Sequence, residues 1–407
     1  MIDHFFLQDQ GECISYGELI AKINTMDYYY PKFKGASLSD FWTNLIIGLI
    51  CNKPVILLDS DISESELDCS TSSNINKRSS VSKPIIGNFS QLLSLVEDSE
   101  SEITIFTSGT TGQPKEVKHS IKSLSRAVKK DDKFKDNVWG FAYNPTHMAG
   151  LQVFFQAFCN ENTLINIFNK ERQYIFNCIR EFNITHISAT PTFYRLLLPY
   201  EESYGSVRRI TLGGEKSGEN LYKSIKQIFP NAKITNVYAS TEAGTLFASQ
   251  GDNFKIPDAI RDKFKVVEDE LFIHKSLLGK SASFKLDGEY YASGDLIEWI
   301  DKKEGLFRFK SRKNELINVG GYKVNPTEVE EVLRGINGII DAHVFGKSNS
   351  VLGNVLCADI VREDKFSLIE MEIRNELKDK LQDFKIPRRI KFVKSLSVTR
   401  TGKMSRK

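Results

Sequence analysis

Paired cysteines are the first thing this chain lacks. Its six cysteines (Cys13, Cys51, Cys69, Cys159, Cys178 and Cys357) form no CxxC pair, and none stands at metal-ligand spacing from the six histidines. A disulfide scaffold and a zinc framework are thereby excluded, and the cysteines read as reduced core thiols. A dominant charge is also missing: 55 Lys and Arg stand against 52 Asp and Glu, a formal net charge of +3. That balance gives no field to steer nucleic acid and favours a small-molecule partner. Long apolar runs are absent too, the best being Leu45 to Cys51, far too short to span a bilayer. The start, Met1-Ile-Asp-His-Phe-Phe6, lacks the basic region and apolar stretch of a secretory signal. The expectation is a cytoplasmic protein with no membrane span, in which the Asn-x-Ser/Thr matches at Asn88 and Asn183 are chance.

What is present suits a soluble globular protein. At 407 residues, with 41% hydrophobic and 26% charged, the chain can bury a large core and fits one large domain plus a smaller one. Apolar runs rich in branched residues, Val55 to Leu58, Ile103 to Phe106, His186 to Ala189 and Arg209 to Leu212, read as buried strands followed by turn or helix signals. The fold class expected is α/β, with sheets flanked by helices. Ser60 to Ser82 is dense in polar residues and reads as an exposed connection without chemistry. From Leu306 onward the pattern changes to short strands and two helices, a small α+β domain. Asn325-Pro326-Thr-Glu328 opens its first helix with a cap, a proline suited to the first position and an acid for the positive end. Val329, Val332, Leu333 and Ile336 fall on one face of that helix.

The chemistry concentrates in Thr107-Ser108-Gly109-Thr110-Thr111-Gly112-Gln113-Pro114-Lys115, after a predicted strand. Glycines let backbone N–H groups converge on an anion, hydroxyls add donors, and Lys115 supplies charge, so a polyphosphate loop is the reading. The spacing from Gly112 to Lys115 is not that of the Walker loop. Gly279-Lys280-Ser281 has a Walker-like ending, but His274 stands where the first glycine belongs, and the match reads as chance.

The loop resembles the TSGTTGxPK signature of the adenylate-forming superfamily, which includes acyl-CoA synthetases, aryl-acid and amino-acid adenylation domains, and beetle luciferases. Similar segments follow in order from Ile14-Ser-Tyr-Gly-Glu-Leu19 to Gly402-Lys403, so the resemblance spans almost the whole chain. It implies a domain 1–311 that binds ATP and the acid, and a mobile lid domain 312–407 that turns about Asn314. His147, in Asn144-Pro-Thr-His147-Met-Ala-Gly150, is expected between the ATP site and the acyl pocket. Gly213, Gly214 and Glu215 are expected along the adenine. In Tyr238-Ala-Ser-Thr241-Glu242 the family roles are adenine stacking, an α-phosphate hydroxyl and a Mg²⁺ carboxylate. Asp295, in Ser293-Gly294-Asp295-Leu296, is expected on the ribose, with Arg312 near ribose and phosphates. Gly320 and Gly321 would line a thiol tunnel, and Lys403 would be the catalytic lysine.

The resemblance implies ATP and Mg²⁺ as cofactors, a small carboxylic acid as substrate, and coenzyme A or a free-standing phosphopantetheinyl carrier protein as thiol acceptor. Leu151 to Phe158 holds no acid to pair with an α-ammonium, which disfavours an α-amino acid. Phe154, Phe155 and Phe158 hint at an apolar pocket, although that spacing is more often core. Glu116 and Ser311 stand where the family commonly has glycine, Ala239 also replaces a glycine, and Asn314 replaces the usual hinge Asp. Ala239 is expected to tighten the backbone without loss of the site and Asn314 to keep the pivot, whereas Glu116 and Ser311 support the alternative, a non-catalytic adenylate-binding relative.

Overall fold

Branched apolar residues in short runs favour strands, because their stiff side chains pack well on a pleated surface. The four runs singled out above fall in Val55–Leu58, Glu102–Thr107, His186–Ala189 and Arg209–Gly213, all strands. The computed structural model describes residues 5–35, 37–60, 62, 67, 69–107, 115–319, 322–349, 353–363 and 366–397.

The largest sheet runs Gly244–Ser249, Lys233–Ser240, Arg209–Gly213, His186–Ala189, Val138–Phe141, Thr163–Asn166, Phe5–Asp9, Glu12–Ser15 in spatial order. Its inner pairings are parallel and its two outer pairings antiparallel. Parallel neighbours need crossovers, supplied by helices such as Met148–Phe158 and Glu219–Ile228. A second sheet orders Lys32–Lys34, Val55–Leu58, Glu102–Thr107 and Lys115–Ser120. Its last pair is a hairpin in which Thr107 faces Lys115. Ser108, Gly109, Thr110, Thr111 and Gly112 of the phosphate loop lie outside the described residues.

Helix Leu38–Ile50 is apolar nearly all round and lies buried. Trp42 stacks on Phe154 with ring centres 4.0 Å apart, and Phe154, Phe155 and Phe158 are fully buried. The three phenylalanines are therefore core and not pocket lining. Gly150 permits the close entry of their helix, since a Cβ there would lie 2.2 Å from the Asn144 carbonyl oxygen.

The change of pattern at Leu306 does not mark a domain edge. Leu306–Arg312 is a strand of an antiparallel sheet shared with Asn253–Lys255 and Tyr290–Asp301, whereas the next sheet opens at Ile317–Val319. The strands on either side of this point, Leu306–Arg312 and Ile317–Val319, are each paired antiparallel within their own sheets, so the periodicity does not separate them. The later sheet pairs Ile339–Asn349 with Gly353–Arg362 and carries helices Pro326–Arg334 and Glu370–Lys378. Asn325 accepts from the Thr327 N–H at 3.1 Å, Pro326 begins the helix, and Val329 and Leu333 are fully buried. Asn314 sits between the two sheets in the 3₁₀ turn Lys313–Glu315.

The polar stretch after Ser60 is less detached than its composition suggests. Ile62, Leu67 and Thr71 are buried, and the Thr71 hydroxyl donates to Glu116 at 3.2 Å. A few anchors among many polar residues suffice to dock a segment, which composition averages away.

Candidate functional site

Asp295 is held by side chains from two other strands. The strand Tyr290–Asp301 bends at Gly294, whose φ of +77° suits glycine, and the Gly294 N–H donates to Glu270 at 3.0 Å. Asp295 is buried and accepts from Arg312 Nε at 2.8 Å and from the Tyr238 hydroxyl at 2.6 Å. A carboxylate has about four acceptor positions, so two remain for a vicinal diol. The Asp295 charge, more than any other influence, holds the Arg312 guanidinium well above its ordinary pKa. Burial first and then Asp295 push the Tyr238 phenol far up. The Tyr238 ring, which the resemblance assigns to adenine stacking, is stacked on Phe309 at 4.3 Å and lies against Phe247 at 5.8 Å. Phe247 reaches it through strand pairing and Phe309 from a strand of the other sheet, and in this structure its hydroxyl serves Asp295.

Thr241 and Glu242 occupy the turn between Lys233–Ser240 and Gly244–Ser249. Helix Met148–Phe158 packs beside that turn, with Thr245 donating to Gln152 at 3.0 Å. Glu242 belongs to the same electrostatic neighbourhood as Asp295: both charges, with Glu270, raise the Tyr291 phenol, which burial first pushes to about 12. Among the described residues the Glu242 carboxylate has no hydrogen-bond or ion-pair partner, and no cluster of three or more metal-ligating side chains exists. One free hard carboxylate without a protein cage fits Mg²⁺ held largely by substrate phosphates.

His147 caps helix Met148–Phe158 without a side-chain cap bond. Its ring reaches Asp59 instead, Nε2 lying 3.2 Å from Oδ2. Asp59 follows the strand Val55–Leu58 and also accepts from Asn144 at 2.5 Å and Thr146 at 2.6 Å. These bonds outweigh burial and hold its carboxyl below the usual range. Nothing in the sequence around Asp59 marks it, because its partners are more than eighty positions away.

Gly213 ends its strand where a Cβ would lie 2.8 Å from Val237, and Gly214 has φ +85°. Glu215 accepts from the Thr192 N–H and hydroxyl at 3.0 and 2.7 Å and lies 3.9 Å from Arg195. Lys115 is half-buried at the start of its strand. Gly320, Gly321 and Lys403 lie outside the described residues. Of the departures noted in the sequence, Glu116 is bonded to Thr71, and Ser311 pairs with Leu296 in its ladder.

His119, four positions after Lys115, is 2% exposed; its Nε2 meets the Thr241 carbonyl at 2.9 Å and its Nδ1 the Ser123 hydroxyl at 3.1 Å. Burial pushes its pKa down to about 4, against the opposing pull of the Thr241 bond. The folded protein therefore keeps His119 neutral, while the unfolded chain takes up a proton near the ordinary 6.5. Stability is full above pH 6.5 and is lost as the pH falls towards 4, by about 3 kcal/mol for this group. His186, lowered to about 4 by burial and then by Arg208 and Arg209, acts in the same direction. The unfolding free-energy difference between wild type and His119→Gln should shrink by about that amount from about pH 7 to about pH 4. A difference independent of pH would contradict the assignment.

Residues 54–266 match the AMP-binding enzyme family, and residues 328–403 match the AMP-binding enzyme C-terminal domain. Among curated relatives, a 2-succinylbenzoate–CoA ligase of Staphylococcus aureus (strain MRSA252) is 28% identical over 329 residues, covering 74% of this chain and 65% of the ligase. The acyl-coenzyme A synthetase ACSM4, mitochondrial, of Homo sapiens is 24% identical over 353 residues, covering 76% of this chain and 60% of the synthetase. The chain thus spans less than two thirds of the length of either relative in these matches. In fold it is similar to the o-succinylbenzoate CoA synthetase from Bacillus subtilis in complex with its acyl-adenylate intermediate. That likeness has a TM-score of 0.71 at 18% identity and covers 99% of this chain and 94% of that one. ATP-bound MatB from Rhodopseudomonas palustris gives a TM-score of 0.71 at 16% identity, with 99% and 94% covered. Among the described residues no helix is long and apolar enough to cross a membrane.

Proposed function

The chain belongs to the AMP-binding enzyme family, and we propose that it joins a small carboxylic acid to coenzyme A through an acyl-adenylate. The observation that carries this reading is the division of labour between two carboxylates that act on the same neighbours, Tyr291 and Arg312. Asp295 is fixed by Arg312 and Tyr238 with acceptor positions to spare for a ribose, while the Glu242 carboxylate makes no hydrogen bond or ion pair among the described residues and its charge reaches Arg312 only at longer range. Mg²⁺ bound to Glu242 would supply charge neutralisation on the phosphate oxygens.

In the first half-reaction a carboxylate oxygen of the acid attacks the α-phosphorus of ATP and pyrophosphate leaves. The chain's own contribution is positioning and electrostatics. Ser108, Gly109, Thr110, Thr111, Gly112 and Lys115, with Thr107, cradle the phosphates. Gly213, Gly214 and Glu215 border the adenine, Thr241 donates to the α-phosphate, His147 stands towards the acid, and Lys403 offsets the developing charge. The domain 312–407 then turns about Asn314, and the thiol enters past Gly320 and Gly321 to displace AMP.

Curated relatives named as CoA ligases support coenzyme A as acceptor; a phosphopantetheinylated carrier protein is the competing acceptor. ATP–pyrophosphate exchange across a panel of aryl and alkyl acids tests the first step, and thioester formation with each acceptor tests the second. The expected result is acid-dependent exchange and a thioester to coenzyme A. ATP binding without exchange for any acid would instead favour a non-catalytic relative, and acylation of the carrier alone would reassign the acceptor.

A further inference from the structure

The turn bearing Thr241 and Glu242 is gripped along its carbonyl edge. Three successive carbonyl oxygens are taken by donors from elsewhere in the chain. His119 Nε2 meets Thr241 O at 2.9 Å, the Gly279 N–H donates to Glu242 O at 2.7 Å, and Arg126 Nη2 donates to Ala243 O. Two of these donors follow the phosphate loop in sequence. The third belongs to Gly279-Lys280-Ser281, the Walker-like ending to which the sequence assigns no role.

That segment is itself tied to the strand after the loop. Lys118 and Lys280 exchange backbone hydrogen bonds of 2.8 Å in both directions, and the Ser281 hydroxyl donates to the Glu116 carbonyl. A Cβ on Gly279 would stand 2.5 Å from His119 Cε1 and 2.8 Å from the Lys118 carbonyl oxygen, so only glycine permits this approach. His119 cannot rotate away freely, being held on its other nitrogen by Ser123.

We infer that His119 and Gly279 are positioning residues for adenylation: together they lock the Thr241–Glu242 turn to the strand that begins at Lys115. The phosphates of the nucleotide are then met from two elements at one fixed spacing. The inference rests on the proposed reaction, in which placement of the α-phosphate is the protein's main contribution, and a misplacement of about 1 Å costs up to about a hundredfold in rate.

The test compares His119→Phe, which keeps a ring but has no donor, His119→Gln, which restores an N–H towards Thr241, and Gly279→Ala. Melting temperature and the kcat and KM of ATP–pyrophosphate exchange are measured for each. His119→Phe and Gly279→Ala should each lower kcat by about tenfold or more with the KM for the acid within about twofold, while His119→Gln returns to within about threefold of wild type. The double variant His119→Phe/Gly279→Ala should be no worse than the weaker single one, because both changes release the same turn. Undiminished kcat in His119→Phe, a loss in His119→Gln equal to that in His119→Phe, or losses that only follow the folded fraction would overturn the inference. Absence of exchange in the wild type would overturn the adenylation reading and the inference with it; intact exchange in wild type and variants alike overturns the inference alone.

Discussion

Lys403→Ala is expected to lower ATP–pyrophosphate exchange by about a hundredfold or more. The match to the family's C-terminal domain extends to residue 403, and in the proposed cycle the small domain delivers this one cation to the reacting carboxylate and α-phosphate. Charge on the five-coordinate phosphorus develops only in the transition state, so the loss should fall on kcat and leave the KM for ATP nearly unchanged. Thioester formation from supplied acyl-AMP uses the other domain orientation and should largely survive. Normal exchange in the variant would remove Lys403 from the mechanism. Equal loss of both half-reactions would make its role structural.

Asp295→Asn should raise the KM for ATP by roughly a hundredfold, as expected when charge-assisted bonds of about 1.5–3 kcal/mol each are weakened at two ribose hydroxyls. Asparagine keeps the shape of the side chain and one carbonyl acceptor, and Arg312 is half-exposed and can be hydrated, so folding should be retained. The KM for the acid should stay near the wild-type value, since the acid does not touch the ribose. An unchanged KM for ATP would mean that Asp295 only anchors Arg312 and Tyr238.

Much of the fold could be read along the chain because its strands are short branched runs with abrupt ends. His186 to Ala189 falls on its strand residue for residue, and Asn325 and Pro326 start their helix as capping chemistry requires. The family was legible for a different reason: the segments that carry the resemblance keep particular residue types in a fixed local order, and the family matches cover residues 54–266 and 328–403. What stayed hidden depends on contacts across sequence. Asp59 meets His147, His119 meets Thr241, and Gly279 meets Glu242 only after distant strands have paired. The stacking of Tyr238 on Phe309 is hidden likewise, since the two rings come from different sheets and neither is marked by its neighbours. Glu116 looked like an intrusion of charge beside the loop, and the fold gives it Thr71 from a stretch whose average polarity conceals a buried residue.

The central claim is that a carboxylate oxygen of the substrate becomes bonded to the α-phosphorus of ATP. Oxygen isotope transfer tests it most directly: the acid that supports exchange is labelled with ¹⁸O in its carboxyl group, turned over with ATP, Mg²⁺ and coenzyme A, and the nucleotide product is analysed by mass spectrometry and ³¹P resonance. The account requires AMP carrying a single ¹⁸O on its phosphate, with unlabelled pyrophosphate. ADP with labelled inorganic phosphate, or AMP without label, would contradict it.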